Sequence, residues 1–244
     1  MLHNRLLPFS FESLYIRFVS SAEAIQELLD SPELPKAVEH LAAVVESERE
    51  RRERFYDEIT PSMKAEFING EVIVHSPVSY AHAVASSNLL KMLSTYVVGH
   101  RLGIVLVEKA LIALSRNDYE PDLCFFSTGK SSQFHPKTNK FPAPDLAIEI
   151  LSESTTHRDR GIKFRDYAAH RVAEYWLVNT EAGEIEQYLL AGANYELKLK
   201  SASGQIESVV IHGLKIPISA VFDSEATQDV LKQLLETKTP PPSF

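Results

Sequence analysis

Two stretches of this chain set carboxylates inside runs of Leu, Ile, Val and Phe: YEPDLCFFS, from Tyr119 to Ser127, and FPAPDLAIEILS, from Phe141 to Ser152. A buried carboxylate is costly unless it is paired or bound to a metal. Asp122 opens the apolar run Leu123-Cys124-Phe125-Phe126, and Glu149 lies within Leu146 to Leu151 with apolar residues on both sides. If both runs are strands of one sheet, a metal ion shared by Asp122 and Glu149 accounts for both acids. Magnesium suits such a pair, being a hard cation that takes few protein oxygens and keeps several waters; manganese is the alternative. A carboxylate-held divalent ion can activate water and neutralise charge on a phosphodiester, with the backbone carbonyl of Ile150 as a third ligand.

Strand alternation narrows the assignment. Asp145, Ala147, Glu149 and Leu151 share one face, and Leu146, Ile148 and Ile150 share the other. Asp145 and Glu149 lie about 13 Å apart along a strand, too far to hold one ion together. Glu149 therefore needs a partner from a neighbouring strand, and Asp122 supplies it. Asp145 follows Pro144 and reads equally as a site residue or as a strand-opening acid held by backbone N–H groups.

The surrounding elements follow from pattern. SAEAIQELLD, from Ser21 to Asp30, reads as a short helix, and a longer one begins near Pro35 and becomes almost all charge by Glu46. In KAEFINGEVIV, Asn69-Gly70 between alternating residues predicts a two-residue hairpin. That turn puts Glu66 and Glu71 on one face and Phe67, Val72 and Val74 on a core-facing side. Ser79 to Val98 reads as a buried helix with His82 near its start. IVLVEKALIALS, after Gly103, is a long strand or a strand pair. Beyond Glu149, SESTTHRD caps a helix running to about His170, with Asp159, Lys163 and Tyr167 at i, i+4 spacing. AEYWLVN and EIEQYLL are further strands, YELKLK and QIESVVIHG antiparallel additions, and Gln228 to Glu236 a last helix before a disordered tail.

Pro121-Asp122 followed by Glu149 on a later strand resembles the PD-(D/E)XK nuclease superfamily. EFINGEVIVHSP, EPDLCFFS, PDLAIEILSEST, RDRGIKFRDYAAHRVAEYWLVN and IHGLKIPISAVF together resemble its Uma-type branch of restriction-endonuclease-like bacterial proteins. The likeness runs from about Glu66 to about Phe222. It implies an α/β (α+β) fold with an αβββαβ core, a mixed sheet flanked by helices. It also implies a magnesium- or manganese-dependent endonuclease acting on DNA, with Asp122 and Glu149 as metal ligands and Glu71 drawn towards the site by the family's Gly-Glu. His82 and Tyr167 become site candidates. Leu151 stands where the motif carries its lysine, and the resemblance implies that Lys163 replaces it from the following helix. Arg158, Arg160 and Arg165 on that helix are candidates for phosphate contacts. The alternative is an inactive nuclease-fold module that binds a partner or nucleic acid.

Composition is compatible with this reading and bounds it. The chain has 244 residues, 44% hydrophobic and 24% charged, with a formal net charge of −8, so a nucleic-acid partner needs a local basic strip. A single cysteine, Cys124, excludes an intrachain disulfide and a cysteine-rich zinc site; it reads as a core residue. The start is interrupted by Arg5, Glu12 and Arg17, unlike a signal peptide, and no stretch is long and apolar enough to span a membrane. A cytoplasmic protein is expected, with a helical arm over residues 1–60, a nuclease-like domain over 61–225, and a helix with tail over 226–244. The charged arm outside the core, and a double-stranded substrate with two backbones, suggest a homodimer.

Overall fold

The computed structural model describes residues 21–236 apart from Pro61; the expected disordered tail and the extreme N-terminus lie outside these residues. The chain divides into two compact units, residues 1–49 and 50–244. In the first lie α1 (Ser21–Leu29) and the N-terminal half of α2 (Leu34–Glu58). Val38, Leu41 and Val45, at helical spacing on α2, are all more than half exposed.

The second unit carries two main sheets. The Asn69-Gly70 turn has φ of +50° and +83°, the left-handed pair a two-residue hairpin requires, and joins β1 (Ala65–Ile68) to β2 (Glu71–Val74). The helix α3 (Tyr80–Gly99) follows, its N-terminus capped by Ser79, whose hydroxyl accepts from the His82 N–H. Next come β3 (Gly103–Val107), β4 (Leu111–Ala113), β5 (Asp118–Tyr119) and β6 (Leu123–Ser127). The short α4 (Thr128–Ser131) leads to β7 (Lys140–Phe141) and β8 (Leu146–Ile150), then to α5 (Thr156–Asp159), α6 (Ile162–Ala169), β9 (Glu174–Asn179), β10 (Glu184–Ala191) and β11 (Asn194–Ser201). The chain closes with β12 (Gln205–Glu207), β13 (Lys215–Pro217), α7 (Ser219–Phe222) and α8 (Ser224–Glu236).

One sheet has the order β11-β10-β9-β8-β6-β3. All its pairings are antiparallel except β8 with β9, which the α5–α6 crossover makes parallel. α3, β3, β6, β8, α6 and β9 therefore form the expected αβββαβ core. The other sheet, β2-β1-β5-β4-β7, was only partly legible: the strand pair after Gly103 splits between the two sheets, and so does the stretch from Tyr119 to Ser127. β12 pairs with β13 in a sheet of its own rather than extending the main one.

The six-stranded sheet is buried on both faces. Leu146, Ile148 and Ile150 of β8, with Trp176 and Val178 of β9, pack towards Leu89, Met92 and Leu93 of α3. Ala147, Tyr175, Leu177, Cys124 and Phe126 point the other way, towards Tyr167 and Ala168 of α6. Cys124 is a buried free thiol within that core, as expected. The helix expected to run unbroken to His170 is split: Gly161 lies so close to the His157 carbonyl that a Cβ would sit 2.6 Å from it. Val72 and Val74, expected to face a core, are instead exposed because β2 is an edge strand. Among the described residues no helix is long and apolar enough to cross a membrane.

At β9, the fully buried Glu174 is satisfied by five donors. Trp176 Nε1 and Gln187 Nε2 donate to Oε1 at 2.6 Å, and the Ser208 hydroxyl and the Val209 and Val210 N–H groups donate to Oε2. This carboxylate ties the segment after β12 to the sheet. Glu174→Ala leaves those donors buried and unpaired, and we expect a loss of roughly 3 kcal/mol or more. Urea denaturation checks it; a change within about 0.5 kcal/mol, the range of an ordinary surface substitution, would contradict this account.

Candidate active site

Five of the residues singled out in sequence, Asp122, Glu149, Lys163, His82 and Tyr167, meet at one end of β8. Because Leu123 pairs with Ile148, Asp122 lies beside Glu149 just before β6 begins. The Ile150 N–H donates to Asp122 Oδ2 at 2.8 Å, so the backbone of one motif holds the acid of the other. Lys64 Nζ donates to Asp122 Oδ1 at 2.7 Å, and His82 Nε2 lies 3.2 Å from the same oxygen. Glu149 points to the α6 face, where Lys163 Nζ donates to Oε1 at 3.1 Å and the Tyr167 hydroxyl at 3.3 Å.

Lys163 is the centre of this arrangement. Its ammonium is buried, 2.8 Å from Glu66 Oε1, 3.1 Å from Glu149 Oε1 and 3.1 Å from Asp159 Oδ1. The i, i+4 pair of Asp159 and Lys163 is thus internal. Glu66 in turn accepts from the Glu120 N–H at 3.0 Å, and its Oε2 lies 3.1 Å from His75 Nε2. Glu120 reciprocates by accepting from the Ala65 N–H.

Burial and neighbouring charge set the protonation of these groups. Burial raises the Glu66 carboxyl, but Lys163 and His75 outweigh it and bring it down to about 2. Burial likewise works against Asp122, and His82 and Lys64 hold it well below the usual carboxylate range. Glu149 goes the other way. Burial, reinforced by Asp159, Asp122 and Glu66, raises it well above the ordinary value despite Lys163. For Lys163, burial is overcome by Glu149, Glu66 and Asp159, which keep the ammonium charged. Tyr167 is raised chiefly by burial and stays a protonated donor.

Asp122, Glu149, Lys64, Lys163 and both histidines line a cleft of about 500 Å³. Among the described residues no three His, Cys, Asp or Glu side chains are placed as a ready-made metal cage. Asp122 and Glu149 nevertheless offer two hard oxygen donors side by side in a polar cleft, a set that fits a magnesium-type ion, which keeps several waters.

The remaining candidates fall elsewhere. Glu71, expected in the site, is exposed at the turn end of β2; Glu66, on the same hairpin face, takes the inner position because it pairs with Ile73 farther from the turn. Asp145 accepts from the Ser127 N–H and pairs with Lys130 at 2.8 Å, the strand-opening role. Arg160 is engaged in a two-pronged pair with Glu186, and Arg165 is exposed away from the cleft lining. Arg158 does line the cleft, and its Nε has no acceptor among the described residues. Sequence reasoning missed Lys64, although alternation places it on the same strand face as Glu66.

Residues 50–219 match the model of the Uma2 family, described as "Putative restriction endonuclease", and the chain belongs to that family. It is 30% identical over 130 residues to the uncharacterized protein slr1290 of Synechocystis sp., a match covering 51% of this chain and 65% of that protein, just under two thirds of its length. Its fold is similar to the crystal structure of a putative nuclease belonging to DUF820 from Anabaena variabilis. The TM-score is 0.61 at 17% identity, covering 71% of this chain and 96% of the other.

The Glu66 carboxyl is lower in the folded chain than its ordinary 4.5, so its stabilising contribution is complete above pH 4.5 and lost as pH falls from there towards 2. Glu66→Gln should be less stable than the parent at neutral pH by a few kcal/mol, with the gap closing through that window. Denaturant titrations across pH 2–7 check this; a gap independent of pH would refute it.

Proposed function

We propose that this chain is a metal-dependent nuclease that hydrolyses phosphodiester bonds, with DNA as its substrate. The observation that carries the reading is the buried Lys163 ammonium joined to Glu149 at the end of β8, inside an open cleft that also holds Asp122. Asp122 and Glu149 would hold magnesium or manganese, which when bound supplies a more acidic water and neutralises phosphate charge. The chain's own residues do the rest. Lys163, fixed by Glu66 and Asp159, presents a compact cation beside Glu149, where it orients the attacking water and stabilises charge developing on phosphate. Tyr167 holds Glu149 in place. Lys64 and His82 fix Asp122, and Arg158 is the cleft cation free to meet a phosphate. Leu151, in the position of the motif's usual lysine, lines the same cleft, so Lys163 reaches from the helix the place that lysine reaches from the strand.

One observation favours a second reading, an inactive nuclease-fold module. Asp122 and Glu149 already have cationic partners in Lys64, His82 and Lys163, so the cluster is satisfied internally to a large degree. Variants separate the two. Calorimetric titration should show weak magnesium or manganese binding that Asp122→Ala and Glu149→Ala abolish; identical binding in all three proteins would remove the ligand assignment. Lys163→Met should lower cleavage by about 100-fold or more while still binding metal. Lys163 is buried among acids, so this variant also loses about 3–5 kcal/mol of stability and must be assayed where circular dichroism shows it folded. Lys163→Arg should rescue poorly, because a planar fork does not replace a compact ammonium. A wild type that cuts no DNA or RNA with either metal leaves the module reading.

A homodimer through the helical arm is part of the proposal, its support being the exposed stripe of Val38, Leu41 and Val45. Light scattering should give twice the chain mass at micromolar concentration, and removing residues 1–49, which keeps Arg52, Phe55 and Tyr56 with the second unit, should return a monomer. A monomeric full chain would count against it.

A further inference from the structure

The cleft does not end at the carboxylates. A second cavity of about 380 Å³ adjoins it: Ala81 and Thr180 line both, and Tyr80, Val84 and Phe222 belong to the second alone. Tyr80 is the first residue of α3 and, at 87%, the most exposed of the large hydrophobic side chains among the described residues. On the catalytic side, Val74 and Val78 line the cleft and are also exposed. The charge around this opening is mixed: Glu153 and Glu181 line the cleft with Arg158, and Asp223 lines the second cavity beside Ser224.

These features bear on which form of nucleic acid can enter. Duplex binding draws its affinity from neutralising phosphates on two closely spaced backbones, and a rim of mixed charge does that poorly. A free aromatic face needs little charge, because any base can stack on it. In a duplex that face of the base is covered by its neighbours, so only an unpaired nucleotide can offer it. We propose that the cavity beside Tyr80 is a subsite for one unpaired base of the strand whose phosphodiester lies in the cleft. The substrate class is then single-stranded or locally unpaired nucleic acid. This rests on the nuclease reading above and adds a specificity element to it. Tyr80 supplies the stacking face, and Val84 and Phe222 the apolar wall behind it. The base chemistry is common to DNA and RNA.

The test measures binding apart from cleavage. Labelled short oligonucleotides, single-stranded and as blunt duplexes of the same sequence, in DNA and RNA, are titrated with the full chain without divalent metal and followed by anisotropy. Single strands of one or both sugars should bind about tenfold or more tighter than the duplexes. Tyr80→Leu should lose about tenfold of single-strand affinity, whereas Tyr80→Phe, which keeps the ring, should lose less than about twofold. A 2-aminopurine base in the strand should be quenched on binding to wild type and Tyr80→Phe but not to Tyr80→Leu. Tyr80 is so exposed that neither variant threatens the fold. Equal binding of duplex and single strand, or an unaffected Tyr80→Leu, in a protein that still cuts with magnesium would overturn the subsite and leave the nuclease reading standing. Failure to bind or cut any of these nucleic acids would take down both. A change of oligomeric state in Tyr80→Leu would make Tyr80 a protein contact and overturn the subsite as well.

Discussion

The structure depends on one buried ammonium. Lys163 has lost almost all contact with water, and an isolated charge in that position is costly by several kcal/mol. It is tolerated because Glu66, Glu149 and Asp159 surround it at 2.8–3.1 Å. The dependence is mutual, since those acids are themselves buried and their surplus charge needs the lysine. Glu66 belongs to the five-stranded sheet, Glu149 to the six-stranded one and Asp159 to α5. A single side chain therefore joins both sheets to the crossover, and none of the three can shift without leaving a charge unpaired.

A second set of contacts holds the helix that carries this lysine. Asp166, less than a turn beyond Lys163, accepts from Asn117 Nδ2 at 2.7 Å and from the Tyr119 hydroxyl at 2.8 Å. His170 Nε2 lies 2.9 Å from the Ser115 hydroxyl. The same loop is gripped from the other side by Arg52, which binds both Asp118 carboxylate oxygens and the Leu114 and Ser115 carbonyls. Tyr56 adds its hydroxyl to Asp118. The second half of α2, almost all charge in sequence, is thus partly structural: Arg52 fastens it to the β4–β5 turn, and through that turn to α6.

What was legible in sequence followed from local rules. Glu149 stood out because no turn excuses an acid in the middle of an apolar strand, and Asn69-Gly70 fixed the hairpin and its faces. The residues that escaped depended on distance along a face rather than on which face. Alternation put Glu66 and Glu71 together, but pairing depth, with Glu66 opposite Ile73 and Glu71 at the turn, decides which one reaches the lysine. The break at Gly161 was hidden for a similar reason, since the close approach of the His157 carbonyl is tertiary geometry. The division of residues 103–127 between two sheets also left no local signature. Each short strand there has an ordinary apolar pattern, and only its partners reveal where it belongs.

The wide spacing of the residues around Lys163 has a consequence for how the protein comes into being. Glu66 and Lys163 are almost a hundred residues apart in the chain, and the loop between them contains nearly all of the five-stranded sheet and three strands of the six-stranded one. Contacts of such separation form late, because the entropy of closing the loop must be met before the contact returns anything. A chain still emerging from the ribosome, or one only collapsed, holds the acids without the cation that organises them. Until Glu66 and Lys163 meet, the cleft around Asp122 and Glu149 is incomplete.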